Sequence, residues 1–196
     1  MRLRIGNCVF EISFSFLALI LIFLTGLNNR NLILVFIFAL LHEAVHLISI
    51  CLFTTAPKKV SLTLFGAEII RGTTNINYNY EIIINLSAPL FNLFVGFMPL
   101  LFRITDMFST EIAEVNIFLG FFNLIPFYNF DGGNALRCFL LKYTDEEATE
   151  KVMLVISVLV VIAFSFFTVF VFLNFKKNYS LVLICIYMTL SIIFKK

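Results

Sequence analysis

The two histidines of the chain stand four residues apart, in His42-Glu43-Ala44-Val45-His46. On an α-helix that spacing puts both imidazoles on one face, about 6 Å apart along the axis. Two imidazoles so placed can ligate one zinc ion, and the intervening Glu43 sits where it can take a proton from an attacking water. The segment around them, roughly 31–53, is otherwise apolar. A lone histidine in such a segment reads as a hydrogen-bonded core residue. Three ionisable groups in five residues do not, because each charged group near a bilayer centre costs roughly 2.5–3.5 kcal/mol on insertion scales. A bound metal compensates for that cost.

Catalytic zinc usually takes three protein ligands and leaves a fourth position for water. With no third histidine, the remaining donor must be a carboxylate or a cysteine. The four cysteines, Cys8, Cys51, Cys138 and Cys185, are scattered and form no CxxC pair; they read as small buried hydrophobes. Asp131 is the best candidate. Pro126 interrupts the helical ladder before it, and Gly132 and Gly133 after it let the backbone turn and approach closely. Taken alone, Asp131 reads equally as a turn-capping residue at a membrane interface.

The elements that must position these residues follow from hydropathy. Of 196 residues, 61% are hydrophobic and 13% charged, with a mean hydropathy of +1.01. A soluble domain is about half apolar and about a quarter charged, so the excess argues for a polytopic membrane protein. Six apolar stretches, roughly 10–27, 31–53, 82–102, 112–128, 152–174 and 179–194, predict about six transmembrane helices in an all-α membrane fold. The first, which follows Arg2 and Arg4, is read as a retained span because no small-residue cleavage site ends it. Between the second and third spans, residues 60–71 read as short strands, a small membrane-associated β-hairpin or sheet insertion. Such an edge could hold an unwound substrate segment by β-augmentation. No repeat or second domain is visible, so the expectation is one intramembrane domain over 1–196 with its core in 30–137.

With the N-terminus in the cytoplasm, ten Lys and Arg residues fall inside and four outside. That asymmetry predicts both termini cytoplasmic in a multi-pass cell-membrane protein, although Lys176 and Lys177 run against it. The net charge of +2 implies no nucleic-acid partner.

These residues resemble the site-2 protease family of intramembrane zinc metalloproteases. His42 to His46 matches its HExxH helix. Asn123-Leu124-Ile125-Pro126-Phe127-Tyr128-Asn129-Phe130-Asp131-Gly132 matches its NxxPxxxxDG segment, and Ser87-Ala88-Pro89-Leu90-Phe91-Asn92 resembles its AGPLxN stretch. Phe65-Gly66 resembles a Phe-Gly-Gly element, and the order of spans resembles the stage IV sporulation protein FB-like branch. The resemblance implies a zinc metalloendopeptidase with one Zn2+ per chain on His42, His46 and Asp131, and with Glu43 as base. It implies that Asn123 positions the substrate or the oxyanion and that Asn92 binds substrate; as residues of apolar spans, both read equally as helix–helix hydrogen-bonding groups. It also implies membrane-protein substrates in the lipid bilayer, a role in regulated proteolysis or sporulation signalling, and room for a regulatory membrane partner. The chain departs from the pattern at Asn129, Ala67 and Asn134, and it carries no C-terminal regulatory domain of the sporulation type.

Three other readings compete. In a metal transporter or sensor the same three ligands would bind metal in transit, but a base between the histidines would then have no task. A catalytically dead relative is disfavoured by the intact motifs. A prenyl-protein protease would keep the chemistry and change the substrate; the Asp131-Gly132 segment argues against it.

Overall fold

The computed structural model describes residues 32–53, 77–104, 106–174 and 181–193 with their side chains, and the backbone alone at 2–5, 8–12, 30–31, 59–63, 66–70 and 179–180. Among the described residues six helices follow in order: α1 (Arg30–Phe53), α2 (Tyr78–Leu101), α3 (Met107–Leu124), α4 (Asp131–Leu141), α5 (Glu146–Asn174) and α6 (Tyr179–Ile193). The chain divides into two compact units, 1–123 and 124–196.

The expected fold needs correcting in two respects. Among the described residues three helices, not six, are long and apolar enough to cross a membrane: Leu32–Phe53, Tyr78–Leu101 and Glu146–Asn174. The stretch 112–128 falls short because its helix, Met107–Leu124, carries Glu111, Glu114, Asn116 and Asn123 among only 18 residues, and Pro126 beyond it lacks the amide that would extend the ladder. The last stretch forms a shorter apolar helix, Leu181–Ile193 in its described part. Most of 10–27 lies outside the described residues. Nor is the β-hairpin insertion shown: the fully described residues are helical apart from their connections. Strands are assigned only at backbone level, at Lys59–Thr63 and Gly66–Ile70, with Arg2–Ile5 and Cys8–Ile12 beside them. No side chain there is described, so the expected substrate edge over 60–71 has no support.

Within the first unit, α2 begins at Asn77, whose side chain accepts from the Asn79 amide. Asp106 does the same for α3, taking the Ser109 amide at 3.0 Å and the Ser109 hydroxyl at 2.8 Å. Those two bonds hold its carboxyl below the usual carboxylate value. Helices α2 and α3 meet closely because small residues line their contact. A Cβ on Gly96 would lie 2.9 Å from the Ile117 amide nitrogen, and one on Gly120 would lie 3.0 Å from the Pro89 carbonyl. Small residues let helix backbones approach where no hydrophobic drive between helices exists.

In the second unit, α5 is apolar nearly all round. Phe166, Phe167, Phe170 and Leu173 are exposed, as expected of a surface facing lipid rather than water. Its buried face carries Thr149, Met153, Ser157 and Thr168. The helix opens on an acidic run, with Glu146 and Glu147 in the first turn, where negative charge meets the positive end of the dipole.

Candidate metal centre

His42 and His46 lie on one face of α1, both buried, with ring centroids 4.9 Å apart and planes at 84°. Each ring is held from outside its own helix through Nδ1. His42 Nδ1 is 2.6 Å from Asn92 Oδ1, and His46 Nδ1 is 3.0 Å from the Ile84 carbonyl oxygen. Both partners lie on α2. A carbonyl can only accept, so each Nδ1 carries the hydrogen and each Nε2 keeps its lone pair. Metal-ligating histidines are oriented in this way, by an acceptor on the nitrogen that does not ligate. Two imidazoles fixed in this tautomer, with one carboxylate, are a usual donor set for catalytic zinc, so the residues present fit the ion.

Glu43 stands between the two histidines on the same turn and is half-buried. Asn92 is fully buried and spends its oxygen on His42 and its amide nitrogen on Asn116, 2.8 Å away. In this structure it contacts the histidine, where the family likeness implied a contact with substrate. Asn123, at the end of α3, turns its amide onto the Leu119 carbonyl of its own helix at 3.0 Å. Asn116, fully buried, was not singled out from the sequence. A faint signal existed: it is a carboxamide inside an apolar stretch, seven residues before Asn123.

In the second unit Asp131 is the first residue of α4. Phe130, with φ −100° and ψ 159°, is the extended residue before it. The Phe130 amide donates to the Phe127 carbonyl at 3.0 Å, and the Asn134 amide donates to the Phe130 carbonyl at 2.9 Å. Phe127 and Phe130 are buried and pack ring on ring at 5.2 Å. A Cβ on Gly132 would collide with the Leu124 carbonyl, and one on Gly133 with the Phe127 carbonyl. The Gly pair therefore serves close approach of α4 to the turn that precedes it, as the sequence predicts. Arg137 ties α4 to α5, with Nε 2.6 Å from Glu150 Oε1 and a second contact of 3.5 Å to Glu146. Burial disfavours the guanidinium charge, but Glu150 outweighs it and holds the group above its ordinary value. The Tyr128 hydroxyl donates to the Glu150 carbonyl at 2.8 Å and so anchors the turn to α5 as well.

Residues 94–167 match the family model described as Peptidase family M50. That stretch holds Asn116, Asn123 and Asp131, while His42 and His46 lie upstream of it. The solved structure titled Site-2 Protease from Methanocaldococcus jannaschii is similar over 98% of this chain and 93% of that one, with a TM-score of 0.65 and 22% identity. The fold is therefore of the site-2 protease type. No curated protein matches.

Proposed function

We propose that the protein is an intramembrane metalloendopeptidase that hydrolyses peptide bonds of membrane-associated or transmembrane proteins, with His42, His46 and Asp131 holding one zinc ion. The observation that carries the proposal is the pair of buried imidazoles on α1, each fixed through Nδ1 by an oxygen of α2. Two further facts support it: the Asp131 segment lies in the M50-like stretch, and the fold is shared with a site-2 protease. Bound there, the ion would polarise the scissile carbonyl and make a water acidic enough to attack near neutral pH.

The chain's own residues supply the rest. Glu43 accepts the proton of the attacking water and delivers it to the departing amine. Asn123 would donate to the developing oxyanion, which requires its amide to leave the Leu119 carbonyl it now faces. Asn92 holds His42 in place. The three long apolar helices support a location in the membrane. Arg2 and Arg4 before the first apolar stretch and Lys195 and Lys196 after the last support cytoplasmic termini, so cysteines placed at residues 2 and 196 should be labelled from the cytoplasmic side only. A place in the stage IV sporulation protein FB-like branch, with substrates in regulated proteolysis, is the finer form of this proposal.

The test compares membranes carrying the wild type with membranes carrying Glu43→Gln, matched in zinc content, by mass-spectrometric mapping of new protein termini. Termini inside transmembrane segments should appear with the wild type and vanish with Glu43→Gln. Identical maps would overturn the protease reading. Glu43 is what favours it over metal transport, since carriage needs no base between two ligands.

A further inference from the structure

We propose that Asn116 is a positioning residue that sets the tautomer of His42 through Asn92, an inference that rests on the zinc-protease reading above. The three side chains form one directed relay across three helices. Asn116 Nδ2 donates to the Ile112 carbonyl at 2.9 Å, Asn92 Nδ2 donates to Asn116 Oδ1 at 2.8 Å, and His42 Nδ1 stands 2.6 Å from Asn92 Oδ1. Asn92 and Asn116 are both fully buried.

A carboxamide has an accepting end and a donating end, and its direction is decided by its neighbours. The Ile112 carbonyl can only accept, so it takes the nitrogen of Asn116 and leaves the oxygen facing Asn92. Asn92 must then present its nitrogen to Asn116 and its oxygen to His42. An oxygen facing Nδ1 requires the hydrogen there and leaves the lone pair on Nε2. One backbone carbonyl of α3 thus determines which nitrogen of a histidine on α1 is available to a metal. His46 needs no such relay, because the Ile84 carbonyl it faces has a single polarity.

Among the described residues, Asn116 Oδ1 is the contact that holds the Asn92 nitrogen, and without it the Asn92 amide can rotate. The rotated amide would face Nδ1 with its NH2 group, move the hydrogen to Nε2 and block ligation. Outer partners of ligating histidines are typically worth about 10- to 100-fold in metal affinity. Asn116→Leu should therefore weaken zinc binding by about that factor while leaving His42, His46 and Asp131 in place. The decisive comparison is the double variant Asn116→Leu with Asn92→Asp. A carboxylate offers oxygen in both directions, so it restores the acceptor at Nδ1 whatever residue 116 is.

Two readouts test this. Competition with a zinc chelator measures affinity, and 15N shifts of the imidazole in metal-free protein, labelled at His42 in a His46→Gln background, report the tautomer. The expected result is the Nδ1–H form with Asn116, a mixture with Asn116→Leu, and recovery of both tautomer and affinity in the double variant. Asn116→Ala gives the same readout should Leu fail to pack. Unchanged tautomer and affinity in Asn116→Leu, or a loss that Asn92→Asp does not recover, would overturn the relay. Failure of the wild type to bind zinc would instead sink the metal reading, and the metal-free tautomer would still decide the relay.

Discussion

Helices α1 and α5 are both long and apolar enough to span a membrane, yet they use their polar side chains in opposite ways. On α5, Ser165 donates to the Val161 carbonyl, Thr168 to Phe164 and Asn174 to Phe170, each four residues back on the same helix. Those bonds satisfy a hydroxyl or amide inside an apolar layer within the helix itself, and Ser165 adds one contact across helices, 3.1 Å from Cys185 Sγ on α6. On α1, His42 and His46 instead reach partners 50 and 38 residues away in sequence. Apolarity makes a span. A site is marked where two imidazoles on one face of a span are both held from outside their own helix.

That contrast can be broken most severely at the ligands. His46→Ala or Asp131→Ala should lose most of the zinc, measured per chain by elemental analysis, whereas Ser165→Ala on α5 should lose none. Asn123 is the sharper case, because its bond to Leu119 is of the α5 kind although its proposed role is catalytic. Asn123→Ala should keep zinc and cut cleavage by about 10²- to 10³-fold if it donates to the oxyanion. Cleavage at the wild-type rate would return Asn123 to the class of self-satisfied residues. Gly133→Ala should cost about 1–3 kcal/mol in thermal unfolding, because the new methyl must displace the Phe127 carbonyl. It should also lower zinc occupancy by shifting Asp131. The smallest effect is expected for Glu150→Ala. Its bond to Arg137 is about one-third exposed on each partner, so screening limits the loss to no more than about 1 kcal/mol.

Much of the site was legible in the sequence because its signals are local. Two histidines at one helical turn and an Asp followed by two glycines carry their geometry in their spacing. The bond from His42 to Asn92 was not legible, since it depends on how α1 and α2 face each other. Asn116 was missed because a carboxamide in an apolar stretch gives no hint of its partner until helix crossing is known; Gly96 and Gly120 allow that crossing. The fold was less legible than the site. Hydropathy alone counts every apolar run as a span, but α3 carries Glu111, Glu114, Asn116 and Asn123, and residues 129–151, between two apolar runs, hold α4 and the first turn of α5.

The most direct test of the account is X-ray absorption at the zinc edge on the purified protein, alongside Asp131→Ala. The account predicts one zinc per chain with two imidazole nitrogens and oxygen donors at about 2.0–2.2 Å, and loss of the carboxylate donor with most of the metal in Asp131→Ala. A sulfur ligand near 2.3 Å, or an unchanged spectrum and full zinc content in Asp131→Ala, would contradict it.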